Sequence, residues 1–350
     1  MLKTLLLALS LTALPAFAAA PKALFYLTRD AKSVDSFLAN ADRIDVLSPH
    51  WIDVDPKGAI TGEPDPRVME VARKHGIAVT PLVTNKGFIR EDVHELLTHP
   101  ERHPAMFAAL VRAAKQHGYA GFQLDLEHVP AADRDALTAL VRAAADALHK
   151  EKLHVSIAVV PAAPLPGAET GYQAWHAANW GGAFDLKAIG EAVDLLCLMT
   201  YDQHGFTTLP GPVAGYRWVE GQLEHALKLV PKEKLALGIP VYGYHWAAAT
   251  PNKGGPREFD SANLKAKWVD AVEVAALGKK YKGHFAWDAE DRTSYMYFYR
   301  DNVREWIYYS DTRTFDERYK LVKQHGLAGF ASWVLGSEDP GIWKLLPKRK

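Results

Sequence analysis

Eight short, nearly uninterrupted apolar runs recur along the chain with helix-like segments between them, and this alternation restricts the fold more than any other feature. The runs lie at 23–27, 43–48, 77–83, 120–127, 153–159, 193–200, 235–241 and 327–333, and helical patterns fill 65–75, 102–117, 131–150, 185–191 and 218–229. Strands buried on both faces read as continuous apolar runs, and helices between them supply the crossovers a parallel sheet needs. The expected fold is therefore α/β, a closed (β/α)8 TIM barrel. An open doubly wound sheet is the alternative, but no G-x-G-x-x-G or Walker motif follows an early strand.

The rhythm breaks between the seventh and eighth runs. One helix is expected at 262–277, followed by the alternating stretches Ser294-Tyr-Met-Tyr-Phe-Tyr299 and Val303-Arg-Glu-Trp-Ile-Tyr-Tyr309, which resemble antiparallel strands with one wet face. This predicts an α+β insertion at 245–311 between strands 7 and 8, with barrel segments at 19–244 and 312–350. At the start, Lys3 precedes an apolar run over 5–14 and then Ala16-Phe17-Ala18, the pattern of a signal peptide spanning 1–18. The run is too short for a permanent membrane span, so an exported, soluble protein is expected.

The fourth apolar run is the unusual one. In a strand, Gln123, Asp125 and Glu127 face one way while Phe122, Leu124 and Leu126 face the other. Three polar groups on the inward face are costly without a task. Glu127 falls at the carboxyl end, where α/β folds bind ligands, and the charge on Asp125 raises the proton affinity of Glu127, as a general acid requires. Met199-Thr200-Tyr201-Asp202 ends the sixth run on the same rim, Trp333 ends the eighth, and Trp51 follows the second. Each has a plainer reading as a turn or a core plug.

Forty-one basic residues balance forty-one acidic ones without long runs of either sign, so nothing favours nucleic acid or an anionic membrane. Fifteen histidines are scattered without H-E-x-x-H or H-x-H spacing, and no metal is expected. The one cysteine, Cys197, lies in an apolar run and reads as a small core residue. No G-x-S-x-G points to serine hydrolase chemistry.

Taken together, Ala120-Gly-Phe-Gln-Leu-Asp-Leu-Glu127 resembles the D-G-x-D-x-D-x-E signature of glycoside hydrolase family 18, and Met199-Thr-Tyr-Asp202 its M-x-Y-D motif. Gly238-Ile-Pro-Val-Tyr-Gly243 and Gly329-Phe-Ala-Ser-Trp333 are similar to its seventh- and eighth-strand signatures, and the insertion stands where the family carries one. Glu127-His-Val-Pro-Ala-Ala-Asp-Arg134 and Val241-Tyr-Gly-Tyr-His-Trp246 are closer to the branch with spore-cortex and other peptidoglycan N-acetylglucosaminidases. The signature's first two acids are here Ala120 and Gln123; Gln123 is expected to hydrogen-bond Asp125 instead.

The resemblance implies a retaining glycosidase that cuts β-1,4 bonds after N-acetylglucosamine in peptidoglycan or chitin-type glycans, with help from the substrate's own acetamide and no cofactor. It implies Glu127 as acid and base, Asp125 and Tyr201 as partners of the acetamide, and Trp333 beneath the sugar. Gln123, Met199, Asp202, Tyr26, Trp51 and Tyr242 are the further substrate-binding candidates. The expected partner is a polysaccharide containing N-acetylglucosamine, met by a monomeric chain without nucleic acid or membrane insertion. The rival is a catalytically weak or inactive carbohydrate-binding protein on the same barrel.

Overall fold

The computed structural model describes residues 21–161, 170–247 and 266–349. The signal-peptide segment lies outside the described residues. Among the described residues, no helix is long and apolar enough to cross a membrane.

Strands β1 (Lys22–Leu27), β2 (Val46–Val54), β3 (Leu82–Asn85), β4 (Gly121–Asp125), β5 (His154–Val159), β6 (Leu195–Leu198) and β7 (Leu235–Pro240) pair in parallel in chain order. The last barrel strand, Gly329–Trp333, pairs with both β7 and β1 and so closes the eight-stranded barrel. Alternation along each strand divides the side chains between two layers. On β1, Phe25 and Leu27 join the outer core under the helices, whereas Leu24 and Tyr26 point into the barrel with Leu82, Cys197, Ala236 and Ala331. On β4, Phe122 and Leu124 join the outer core and Gln123 and Asp125 are buried on the other face.

The helices begin and end where local chemistry dictates. Asp65 caps α2 (Pro66–Lys74) through its side chain, following α1 (Ala31–Asn40), which Asp30 caps in the same way. Arg90–Thr98 forms α3, and α4 (His103–His117) stops at Gly118, whose φ of 76° is left-handed. The segment after β4 opens as a tight turn at Ala131–Asp133 before α5 (Arg134–His149). Between β5 and β6 the chain makes α6 (Gly171–Asn179) and α7 (Leu186–Ala192), and α8 (Tyr216–Leu227) precedes β7.

Two barrel strands depart from expectation. The run at 77–83 is broken into Ala78–Val79 and β3, because Pro81 has no N–H for the ladder. The second strand continues past Ser48 to Val54, with a shift of register between His50 and Ile52.

After β7 comes a five-stranded antiparallel sheet of β8 (Gly243–Trp246), β9 (Lys267–Val269), β10 (His284–Asp288), β11 (Thr293–Arg300) and β12 (Val303–Tyr309). Its helix, α9, is Ala271–Tyr281 rather than 262–277. Asp270 and Glu273 form a reciprocal capping box that fixes this start, and Lys267–Val269 is paired as a strand with β8; residues 262–265 lie outside the described residues. The chain returns through α10 (Thr312–His325) to the last barrel strand, β13 (Gly329–Trp333).

Candidate active site

The ends of β4 and β6 and of β13 converge on a cavity of about 720 Å³, lined among others by Tyr26, Asp125, Glu127, Met199, Tyr201, Asp202 and Trp333. Asp125 is the last residue of β4 and only 6% exposed, and Glu127 follows two residues later, open on one side to the cavity. Among the described residues lining the cavity there is no Lys or Arg. Burial pushes the Asp125 carboxyl from 3.8 up to about 7. Burial also raises Glu127 well above the ordinary carboxyl range, with the charges of Asp125 and Asp202 adding to it. Both carboxyls are raised, and the charge of Asp125 is one cause of the rise on Glu127, so ionising one makes the other hold its proton more tightly.

Tyr201 and Asp202 reach the site on the turn after β6. Close approach of β6 and β7 depends on Gly238, where an added Cβ would lie 2.4 Å from the Leu198 carbonyl oxygen and 3.0 Å from the Tyr201 ring. Asp202 adopts a left-handed φ of 57° and accepts hydrogen bonds from the hydroxyls of Tyr242 and Tyr244, the latter at 2.9 Å. The surrounding protein raises its carboxyl above the usual range against the pull of those hydroxyls. Trp333 lies over Tyr26, with ring centroids 5.4 Å apart, and forms part of the cavity wall.

Three candidates stand elsewhere. Trp51 sits at the register shift in β2, 3% exposed, and its ring packs in the outer core against Tyr119 at 6.4 Å, because the strand runs on past the end of the second apolar run. Gln123 lies below the cavity and donates to Ser156 Oγ at 3.2 Å and Cys197 Sγ at 3.1 Å, not to Asp125. Two strand positions separate the Gln123 and Asp125 side chains by about 6–7 Å on the same face, so the amide meets β5 and β6 first. Tyr242 is buried behind Asp202, donates to that carboxylate and does not itself line the cavity. Burial pushes the Cys197 thiol up to about 12, which keeps it un-ionised.

Two features escaped sequence reasoning. Asn85, 2% exposed at the end of β3, accepts the Glu127 N–H at 2.9 Å and donates to the Glu127 carbonyl at 3.2 Å. A polar residue just past an apolar run gives no hint of such a clamp. Trp180 forms a wall of the cavity and stacks on His128 with centroids 4.9 Å apart; among ten tryptophans, no spacing marks this one. Among the described residues, no group of three or more His, Cys, Asp or Glu side chains is arranged to hold a metal ion.

The sequence profile of the family described as Glycosyl hydrolases family 18 matches residues 66–338. The uncharacterized glycosylase YvbX of Bacillus subtilis is 25% identical over 329 residues, covering 92% of this chain and 90% of that protein. The cortical fragment-lytic enzyme of the same organism is 25% identical over 293 residues, covering 83% of this chain and 64% of its own length. The fold is shared with the spore cortex-lytic enzyme SleL of Bacillus megaterium, at a TM-score of 0.78 and 23% identity over 93% of this chain and 73% of that one. It is shared also with a chitinase from Chromobacterium violaceum, at 0.79 and 24% over 93% and 97%. The chain belongs to glycosyl hydrolase family 18.

Proposed function

We propose, from that membership, that the chain is an exported glycosidase that cuts β-1,4 bonds following N-acetylglucosamine, with peptidoglycan as its polymer. The observation that carries this reading is the pair of acids Asp125 and Glu127, both raised above the ordinary carboxyl range in a cavity with no lining Lys or Arg among the described residues and large enough for sugar rings. Asp125 Oδ1 is buried without a hydrogen-bond partner among the described residues, an acceptor suited to a substrate N–H.

Glu127 gives its proton to the glycosidic oxygen as the C1–O bond breaks. The sugar's acetamide oxygen bonds to C1 from the opposite face, and Asp125 accepts the acetamide N–H and balances the positive charge that develops. This family is an exception to the scheme in which a second enzyme carboxylate is the nucleophile. The ionised Glu127 then takes a proton from water, which attacks C1, reopens the ring formed by the acetamide and restores the acid. The Tyr201 hydroxyl, held un-ionised by burial, donates to the acetamide oxygen, and Trp333 supports the sugar's apolar face. Tyr26 and Met199 complete the wall beside them.

Similarity to the cortical fragment-lytic enzyme and the leader-like pattern at 1–18 support peptidoglycan and export. Digests of purified peptidoglycan and of chitin, resolved by mass, test the substrate. Fragments ending in reducing N-acetylglucosamine from peptidoglycan are expected; release from chitin alone would assign the other polymer. Amino-terminal sequencing of exported protein should begin just after Ala18.

A further inference from the structure

A second cavity, of about 450 Å³, shares no lining residue with the first; Arg29, His50, Asp53 and Phe88 are among its walls. These residues stand in the carboxyl half of β2 or just beyond β1 and β3, the end at which a barrel of this kind places its ligand contacts. Asp53 on β2, Thr84 on β3 and Asp125 on β4 are register partners in one row. At the usual strand spacing, Asp53 is therefore roughly 10 Å from Asp125.

This cavity holds an unpaired cation and unspent acceptors. Arg29 Nη2 donates to the Trp51 and Glu63 carbonyls at 3.2 and 2.9 Å, which fixes the guanidinium, and among the described residues no carboxylate pairs with it. The other N–H groups of its planar fork remain for an outside acceptor. Thr84 Oγ1 gives its single hydrogen to Asp53 Oδ1 at 3.0 Å in preference to the Ile52 carbonyl at 3.3 Å, so it accepts from His50 Nε2 at 3.2 Å. Burial lowers the proton affinity of His50 and keeps the ring neutral, which leaves Nδ1 as an acceptor. Asp53 Oδ2 has no partner among the described residues. Phe88, whose ring lies 6.0 Å from that of His50, adopts a left-handed φ of 54°. Such a backbone is rare for a bulky side chain, and strain of this kind gathers where a chain holds a ligand.

A guanidinium and a carboxylate that share one cavity without pairing fit an occupant that carries both an anion and a cation of its own. Sugar backbones of N-acetylglucosamine have neither. Peptidoglycan bears short peptides with free carboxylates and amines on alternate sugars, and chitin bears none. We infer that the second cavity is a peptide-recognition site, in which Arg29 holds a carboxylate and Asp53 an ammonium of the peptide attached to the glycan, so that it sets the preference between the two polymers. The inference rests on the reading that peptidoglycan is the substrate, but it concerns recognition of the peptide and not turnover of the sugar chain.

Calorimetry in the Glu127→Gln background, where nothing is cut, compares a peptidoglycan tetrasaccharide carrying its peptides with the same tetrasaccharide freed of them by an amidase. The peptide-bearing form should bind about tenfold more tightly, the scale of one charge-assisted contact. Arg29→Ala should abolish that difference and leave the affinity for the stripped form within about twofold. Equal affinity of the unaltered pocket for the two forms overturns the proposal. So does an equal loss on both in Arg29→Ala, which would make Arg29 a contact to the sugar chain. Should Arg29→Ala misfold, Asp53→Asn decides: a weaker hold on the peptide-bearing form alone supports the site, and an unaltered one removes it. Peptidoglycan left uncut by the intact chain would refute the substrate reading, while peptide recognition is still read from binding.

Discussion

The inserted sheet and the barrel mouth both bury carboxylates, and they treat them in opposite ways. In the inserted sheet, Glu305 is 1% exposed with Arg300 Nη2 at 2.6 Å and His245 Nε2 at 2.8 Å. At the barrel mouth, Asp125, Glu127 and Asp202 share a cavity without any lining Lys or Arg among the described residues, and each carboxyl is raised by its surroundings. A buried charge that serves the fold is neutralised by a partner, because an unpaired one costs several kcal/mol. One left unpaired costs stability and gains proton affinity, which is the property an acid catalyst needs.

Removing the acid breaks this contrast most severely. Glu127→Gln should lower kcat on a soluble N-acetylglucosamine substrate about 10³-fold, in the range of general acid catalysis, with sugar binding by calorimetry nearly unchanged. Retention of most activity would show that the proton comes from elsewhere. The partnered carboxylate should behave in the reverse manner. Glu305→Ala leaves His245 and Arg300 without their acceptor and should cost about 2–3 kcal/mol in urea unfolding, while kcat on the small substrate is kept.

Asp125→Asn sharpens the comparison through pH. An acid whose folded pKa is raised binds its proton more tightly in the native state, so it weakens the fold as pH climbs from about 4, the unfolded value, to about 7. The substitution should therefore stabilise the fold at pH 8 and change nothing near pH 4, read as a Tm difference that grows across that window. It also removes a charge that raises Glu127, so the alkaline limb of residual kcat/KM should move to lower pH; a limb that moves upward would show that Asp125 does not act on the acid.

The smallest effect is expected at Asn85. Asn85→Ala removes two hydrogen bonds to the Glu127 backbone and should reduce kcat about tenfold, near 1.4 kcal/mol, with little change in KM. Asn85→Asp, which keeps the acceptor for the Glu127 N–H, should recover part of the loss. Equal damage to KM and kcat would point to general distortion instead.

Much of the barrel was legible because apolar periodicity is a local property. Phe122, Leu124 and Leu126 alternate with Gln123, Asp125 and Glu127 in the sequence, and the barrel keeps that division by facing the first set to the helices. Where reading failed, a single residue altered the path. Pro81 split a strand, a register shift turned Trp51 into the core, and the Asp270 cap moved the start of a helix. Gln123 was placed on the correct face, but its nearest partners, Ser156 and Cys197, came from two other strands.

By itself the sequence determined the alternating strands and helices, the facing of Asp125 and Glu127, and the family. Only the tertiary structure decided that Asn85 grips the acid's backbone, that Trp180 walls the cavity, and that Arg29 and Asp53 line a second cavity together. The physical reason is range. Side-chain facing follows from neighbours one or two residues apart, whereas desolvation and hydrogen bonding depend on which distant strands close around a group.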